Sequence, residues 1–396
     1  MIVPTKARPA YNLNELRDLL AVTRQGIAYL NHAGMSPLPA PAAARMIAAV
    51  EAMQREGAGV YATIVEPAIE ELLTNIGRLV NAAPDEIALM PNTAAGLNTI
   101  AQSLPLHPGD EVLLCDVEFP SNVYPWQNLA RRGISTRLIP AREGGLSLEE
   151  IEANLTPRSR VLAVSAVQFF TGRREDLHAL GHCCAQHGMW LVVDAMQAAG
   201  IVPIDMQEMG IHALAAGGQK ALMGPPGQGF MVIRRDLAEQ MTPVFVGPLS
   251  VENWEHWLAY GMTPRPGARR FDLATVNVPG IVGLNESIKL LLGLGIDHIA
   301  EWVTTLSSLL IEDLEQRGWR IITPHDPARR ANIVTFAWQG DAKAAVARLK
   351  EQGVILTAHL DAVGNPHLRV SSHCYNTVQE VLRVGEAVEG LRHEQH

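Results

Sequence analysis

The sequence is poor in cysteine and has no long hydrophobic run. Four cysteines in 396 residues form no disulfide framework, and two of them, Cys183 and Cys184, are adjacent. The best apolar run, LLLGLGI near residue 290, is far shorter than a membrane span, and the N-terminus lacks a signal-peptide pattern. We therefore expect a cytoplasmic protein in a reducing setting, with no membrane partner.

Positively charged residues are also few, which limits the kinds of molecule that the protein is expected to bind. The formal net charge is −9, so we expect no nucleic-acid partner. Hydrophobic residues make up 47% and charged residues 18%, which is typical of a globular protein. The length exceeds the size at which a single core stops growing, so we expect a large domain and a smaller one.

Short apolar runs alternate with segments of helical spacing between residues 86 and 234. The runs are IALM (87–90), EVLLC (111–115), STRLIP (135–140), RVLAVSAV (160–167), WLVVD (190–194), HALAA (212–216) and GFMVI (229–233). Most are rich in Val, Ile and Leu without polar alternation, as in strands covered on both faces. The pattern predicts an α/β fold with three layers and a mostly parallel, seven-stranded sheet.

The remainder of the chain predicts a smaller α+β unit. A long helical pattern covers residues 282–318, and strand patterns follow at NIVTFAW (332–338), GVILTA (353–358) and HLRVSS (367–372). We predict a large domain over residues 25–275 and a small domain formed by residues 1–24 and 276–396.

Polar or aromatic residues follow five of the predicted strands. They are Phe119, Gln168, Asp194 with Gln197, Lys220, and the segment PNTAAGLN. Parallel strands end at one edge of a sheet, so these residues are expected to converge there. Taken singly, Asp194 could cap a helix, Lys220 could be a surface lysine, and the loop GPPGQG matches neither a Walker motif nor GxGxxG.

Together these motifs resemble those of the fold-type I pyridoxal-5′-phosphate (PLP) enzymes. The order is similar to that in the class V aminotransferase group, which includes cysteine desulfurases, kynureninase-like enzymes and isopenicillin N epimerase. The resemblance extends from YLNHAGMSPLP (29–39) to LRVSSHCYNT (368–377), with Asp-x-x-Gln, x-x-Lys and GPPGQG between them. It implies PLP as cofactor, a small-molecule amino acid or amine as substrate, and a homodimer with shared active sites.

The resemblance also implies residue roles. Lys220 would hold the cofactor as a Schiff base and move the proton, and Asp194 would pair with the ring nitrogen. The cofactor residues it implies are Thr93, Ala94, Phe119, Gln168, Asp194, Gln197, Gln219, Lys220 and, from the neighbouring subunit, Thr275. Arg369 would bind the substrate α-carboxylate, with Asn31 and His32 lining the substrate side.

The chain departs from the family pattern where the phosphate is expected. Gly217 occupies a position that is often serine, and Ala94 occupies one that is often threonine. We therefore expect the phosphate to depend on backbone amides, Gln219 and Thr275.

The sequence motifs predict the cofactor more closely than they predict the reaction. A desulfurase needs a cysteine shortly before the carboxylate-binding arginine, and residues 340–368 contain none. Transamination is the first expectation because it needs no additional residue after the quinonoid intermediate. A C–S or other β-lyase or an epimerase is the second, and a catalytically inactive PLP-fold binding module is the third.

A histidine- and cysteine-rich segment at residues 178–187 raises the question of a metal site. On a helix His178 and His182 share a face, but His187 lies on another, and adjacent cysteines point apart. Because a structural metal needs four converging ligands, we expect none here.

Overall fold

The computed structural model describes residues 7–394 of the chain. The helices are α1 (Leu13–Asp18), α2 (Ala40–Glu56), α3 (Glu66–Val80), α4 (Thr93–Ser103), α5 (Tyr124–Gln127), α6 (Leu148–Asn154), α7 (Leu177–Gln186), α8 (Arg235–Ala238), α9 (Val278–Leu294), α10 (Ile296–Gln316), α11 (Ala342–Glu351) and α12 (Val378–Glu394). The strands are β1 (Ala28–Tyr29), β2 (Ile87–Met90), β3 (Glu111–Cys115), β4 (Ser135–Ile139), β5 (Ser159–Ser165), β6 (Trp190–Asp194), β7 (Ala213–Gly217), β8 (Gly229–Ile233), β9 (Ile333–Ala337), β10 (Val354–Ile355), β11 (Thr357–Leu360) and β12 (Pro366–Ser371).

The seven runs predicted between residues 86 and 234 form one seven-stranded sheet. Its strand order is β2-β8-β7-β6-β5-β3-β4. The neighbouring pairs from β7 to β4 are parallel, and β8 is antiparallel to both β7 and β2. The predicted mostly parallel sheet is therefore confirmed.

Both faces of this sheet are buried. In β3, Leu113 and Cys115 belong to the core on one face, and Val112 and Leu114 belong to the core on the other. Successive side chains of a strand point to opposite faces, so a strand covered on both sides carries apolar residues throughout. This explains why the predicted runs lack polar alternation, and it confirms the three-layer arrangement.

Helix α4 begins at the edge of the sheet where the parallel strands end. The side chain of Asn92 caps it by accepting a 2.8 Å hydrogen bond from the backbone N–H of Ala95. The helix packs closely on β7, because a Cβ atom at Gly96 would lie 2.9 Å from the Cβ of Ala215. Glycine at this position therefore lets the start of α4 approach the loop that follows β7.

The C-terminal part contains a three-stranded antiparallel sheet in the order β11-β12-β9. The single strand predicted over 353–358 is instead two strands, since β10 pairs with β1 and β11 pairs with β12. The single helix predicted over 282–318 is two helices, α9 and α10, bent by 80°. Gly295 joins them with a φ of +85°, which a helix cannot continue through.

The proposed division into two domains stays a prediction. Ala28 and Leu30 contribute to the core of the C-terminal unit, whereas α9 packs on α2 and α3 beside the large sheet. Residues 1–6 and 395–396 of the predicted small domain lie outside the described residues. Within residues 7–394, no single helix is both long and apolar enough to span a membrane; α9 and α10 meet that criterion only as a bent pair.

Candidate active site at the carboxyl edge of the large sheet

A cleft of about 340 Å³ opens where the parallel strands of the large sheet end. It is lined by Asn92, Thr93, Ala94, Phe119, Ser121, Ser165, Val167, Phe169, Asp194, Met196, Gln197, Gln219 and Lys220. Seven of the predicted cofactor residues therefore share one cleft: Thr93, Ala94, Phe119, Asp194, Gln197, Gln219 and Lys220. The volume lies in the range of small-ligand pockets.

Lys220 lies in the loop after β7, with its amine 5.2 Å from the ring centroid of Phe119. Burial lowers the pKa of this amine to about 8; the positive charge of Arg369 lowers it as well, while Asp194 opposes the shift. The hydroxyl of Ser36 donates a 2.6 Å hydrogen bond to the backbone carbonyl of Lys220. The lysine thus has a fixed backbone and an amine with a substantial neutral fraction near neutral pH.

Asp194 ends β6 and is buried. Its Oδ1 accepts a 2.9 Å hydrogen bond from the backbone N–H of Met196. Burial raises the pKa of Asp194 to about 7, and the nearby carboxylate of Glu118 raises it further, whereas Met196 and Lys220 act in the opposite direction. A cationic partner beside this carboxylate would stabilise its ionised form.

Glu118, which follows β3, is a buried carboxyl group close to the cleft. It accepts hydrogen bonds from the backbone N–H and hydroxyl of Ser165 at 2.8 and 2.5 Å. Asn122 Nδ2 and Gln168 Nε2 donate to it at 3.0 and 2.8 Å. Burial raises the pKa of Glu118, while these four hydrogen bonds lower it. Nothing in the sequence distinguishes Glu118 from other carboxylates, although it directly precedes Phe119 in the segment EFPSN (118–122).

Two of the predicted cofactor residues, Gln168 and Gln197, hydrogen-bond to other groups of the protein. Gln168 is completely buried, does not line the cleft, and has an Oε1 atom without a partner. Gln197 lines the cleft, and its Nε2 donates a 3.1 Å hydrogen bond to the carbonyl of Ala33. The predicted role of Gln168 at the cofactor stays a prediction that this placement does not favour.

The start of α4 provides the groups expected for a phosphate. Among the described residues, the backbone N–H groups of Thr93 and Ala94 have no acceptor. Met196 Sδ accepts from the Thr93 hydroxyl at 3.0 Å and from the N–H of Gly217 at 3.3 Å. A thioether is a weak acceptor, so an anion would bind these donors better.

The space beside Gly217 is filled by other side chains. A Cβ atom there would lie 2.9 Å from Gln219 Oε1, 3.1 Å from Met196 Sδ and 3.2 Å from Thr93 Oγ1. Gln219 Oε1 is itself buried without a hydrogen-bond partner. Gln219, Met196 and Thr93 therefore occupy the space that a side chain at Gly217 would need.

Arg369, on β12, is buried and reaches the rim of the cleft through Phe169. Its Nη1 donates a 2.7 Å hydrogen bond to the Phe169 carbonyl, and its Nε has no partner. Burial lowers the pKa of Arg369 to about 10, and among the described residues no carboxylate pairs with it. An unpaired buried guanidinium is suited to an anionic ligand.

His359, which the sequence analysis did not identify, lies beside Arg369. Its ring is edge-on to Phe169 and Phe170 at centroid distances of 5.9 and 6.3 Å. Burial and the charges of Arg369 and Lys220 lower its pKa to about 4, so the imidazole is neutral at pH 7. The strand pairing that brings it here, Thr357 with Arg369, has no signal in the sequence.

Asn31 and His32 do not line the cleft. His32 is buried against the rings of His373 and Tyr375, and its Nδ1 lies 2.8 Å from the Ser36 hydroxyl. Since that hydroxyl donates to Lys220, His32 Nδ1 must be the donor to Ser36. His32 is therefore placed behind the lysine backbone, and its predicted contact with substrate stays a prediction.

Thr275 also lies outside the cleft, and it is exposed to solvent. Large apolar side chains are exposed in the preceding segment: Val244, Phe245, Val246, Trp257, Leu258, Tyr260, Met262 and Leu273. The predicted role of Thr275 in a neighbouring subunit stays a prediction.

The four cysteines are free and buried, and none lines the cleft. Burial raises the pKa of each thiol, that of Cys184 to about 12. His178, His182 and His187 are exposed while Cys183 and Cys184 point into the core, and within residues 7–394 no cluster of three or more potential ligands could hold a metal ion.

These residues fit PLP, since the cleft combines an unpaired amine, a buried carboxylate and an open helix N-terminus. The model of the family described as Aminotransferase class-V matches residues 28–384. The chain belongs to the class-V aminotransferase family. The cofactor of this family, PLP, is therefore its cofactor.

The proteins that this chain resembles are named for different activities. A probable cysteine desulfurase of Methanothermobacter thermautotrophicus is 27% identical over 92% of this chain and 94% of its own length. The structure of a cysteine desulfurase from Thermococcus onnurineus NA1 has a TM-score of 0.86 at 23% identity, covering 98% of each chain. A cystine C–S lyase, solved with its product cysteine persulfide, has a TM-score of 0.82 at 25% identity, covering 91% of this chain and 96% of its own.

Proposed function

We propose that this class-V enzyme transfers the amino group of a small amino acid or amine, using Lys220 as the residue that binds PLP. The observation that supports this function is the convergence of Lys220, Asp194 and Phe119 in one cleft, with Arg369 at its rim and no cysteine among the described residues that line it. When bound, PLP supplies an electron-withdrawing ring that accepts the electron pair released at the substrate α-carbon.

Lys220 acts through its Nζ atom. With a pKa of about 8, the amine is neutral often enough to bond to the cofactor aldehyde, and it can later hold the proton removed from the substrate. The hydrogen bond from Ser36 restrains the backbone of Lys220, and rotation of the side chain can still move Nζ. Asp194 would accept a hydrogen bond from the protonated ring nitrogen, and Phe119 would cover a ring face.

Different residues would hold the phosphate of the cofactor and the α-carboxylate of the substrate. The N–H groups of Thr93 and Ala94 and the side chain of Gln219, which line the cleft at the start of α4, would hold the phosphate. Arg369 binds the substrate α-carboxylate, replacing its hydrogen bond to Phe169. Binding at both ends places the α-carbon near Lys220.

The buried cysteines support a reaction that uses no enzyme thiol. Sulfur transfer to the enzyme needs a reactive thiolate, and burial disfavours the thiolate at all four cysteines. We therefore propose transamination although several relatives are named cysteine desulfurases. Similarity to a cystine C–S lyase favours a second candidate, β-elimination from a sulfur-containing amino acid, which also needs no enzyme thiol.

The exposed apolar segment supports a homodimer. Several large apolar side chains between residues 244 and 273 are exposed, as is typical of a segment that a partner covers. Thr275 directly follows this segment, so a partner subunit covering it could bring Thr275 to the phosphate. The four free cysteines are consistent with the cytoplasm.

A single-turnover screen of amino acids tests the proposed reaction. Conversion of the bound cofactor to its pyridoxamine form with release of a 2-oxo acid supports transamination. Pyruvate and ammonia released without that conversion would establish the lyase. Inversion with solvent deuterium at the α-carbon would establish an epimerase and overturn both.

A further inference from the structure

The motif EFPSN (118–122) contains a carboxylate that the proposed reaction does not use. Glu118 is buried, and its two oxygens together accept four hydrogen bonds, from Ser165, Asn122 and Gln168. Asn122 is itself fixed, because its Oδ1 accepts a 3.1 Å hydrogen bond from Trp126 Nε1. These four donors stabilise the ionised form of Glu118 and oppose burial, which raises its pKa.

Glu118 and Asp194 lie on either side of Ser165, at the ends of neighbouring strands of the large sheet. Ser165, which donates twice to Glu118, is paired with Asp194 in the ladder between β5 and β6. Glu118 also interacts with Asp194 through its charge and raises the pKa of that residue. Two strand ends thus hold two buried carboxyl groups on one side of the cleft.

The other charged groups around the pair differ in their effect. Lys220 faces Asp194 from the cleft and stabilises its ionised form. On the far side of Glu118 lies Glu175, which is ion-paired with Arg173 at 3.3 Å. Asp116 and the thiol of Cys115 lie along β3 and its following loop, and Glu118 raises the pKa of that thiol. Among the described residues, no cationic side chain pairs directly with Glu118.

We propose that Glu118 is a positioning residue that keeps the ring nitrogen of the bound cofactor protonated by placing a second negative charge near Asp194. The proton shared by Asp194 and the ring nitrogen is stabilised by any fixed negative charge nearby. The inference rests on the proposed contact between Asp194 and the ring nitrogen. It also explains why Glu118 is held by four donors, since a mobile side chain could not provide a fixed charge.

The variant Glu118→Gln removes the charge with little change in shape. In PLP-loaded protein, the pH at which the cofactor spectrum titrates should fall by about one unit, as expected for loss of one nearby charge. With ¹⁵N-labelled PLP, the ring-nitrogen chemical shift at pH 8 should move toward that of a neutral pyridine. An unchanged titration and an unchanged ¹⁵N shift would overturn the proposal.

A second variant separates the charge from the hydrogen bonds. Asn122→Ala removes one hydrogen bond to Glu118 and leaves the carboxylate in place. Its thermal stability should fall, because Trp126 Nε1 also loses its acceptor, while the titration stays near that of the wild type. A fall in the titration as large as that of Glu118→Gln would show a purely structural role and overturn the proposal.

Asp194→Asn distinguishes this inference from the proposed function. If that variant leaves the ring-nitrogen shift unchanged, the contact of Asp194 with the ring fails, and the inference fails with it. If Asp194→Asn changes the shift and Glu118→Gln does not, only the role of Glu118 is overturned.

Discussion

The amine of Lys220 lies 5.2 Å from the ring centroid of Phe119, so two loops far apart in the chain face each other across the cleft. Phe119 follows β3 and Lys220 follows β7, and β5 and β6 separate these strands in the sheet. A ligand bonded to the lysine would lie against the phenyl ring.

Phe119→Ala should weaken PLP binding. Loss of a stacked ring removes on the order of 1 kcal/mol beyond the buried area, which raises the dissociation constant about fivefold. Fluorescence titration of protein stripped of PLP measures this constant. Phe119→Tyr retains the ring and should bind as the wild type does; equal affinity in the alanine variant would remove Phe119 from the cofactor site.

Borohydride should attach PLP to the peptide that contains Lys220. Lys220→Ala should abolish the attachment because its amine is the one that lines the cleft. Lys350→Ala, on the exposed surface of α11, provides the matched control and should retain full labelling. Peptide mass spectrometry locates the label, and a label on another lysine would contradict the assignment.

Covalent capture of PLP by the stripped protein should depend on pH. Because the pKa of Lys220 is about 8, the neutral amine increases about tenfold per pH unit below 8 and reaches a plateau above it. Arg369→Gln removes a positive charge that lowers this pKa, so its profile should move to higher pH. Capture rates across pH measure both effects; a wild-type profile that still rises at pH 10 would be inconsistent with a perturbed lysine.

Arg369→Lys should weaken substrate binding while leaving the cofactor spectrum unchanged. Lysine keeps the charge but loses the planar fork, and a hydrogen bond to a charged group contributes about 1.5–3 kcal/mol. We expect KM for the preferred amino acid to rise roughly 10- to 100-fold. Steady-state kinetics give this value. Loss of bound PLP instead would assign Arg369 a structural role.

Iodoacetamide should leave the native enzyme active and unlabelled. All four cysteines are buried, and burial disfavours each reactive thiolate. Denatured protein should accept four labels, which intact mass spectrometry counts. Rapid inactivation with one label on the native protein would reveal a reactive thiol and favour a desulfurase.

Local patterns predicted the large sheet well and the C-terminal unit less well. Six of the runs became buried strands, which need consecutive apolar residues, and the seventh became the partly exposed edge strand β4. The helix predicted over 282–318 breaks at Gly295, whose positive φ has no periodic signal. The run over 353–358 divides because β10 and β11 pair with different strands, which depends on partners elsewhere in the chain.

The sequence by itself determined the order of strand-end motifs that identifies the family and, through it, the cofactor. Those motifs are local, so Asp194, Gln197 and Lys220 could be read from short segments. Only the tertiary structure decided which distant side chains join them. Arg369 hydrogen-bonds to the carbonyl of Phe169, which is 200 positions away in the sequence. Glu118 lies near Asp194, and the side chain of His32 packs in the core. Such contacts depend on strand order and side-chain packing, which no local periodicity encodes.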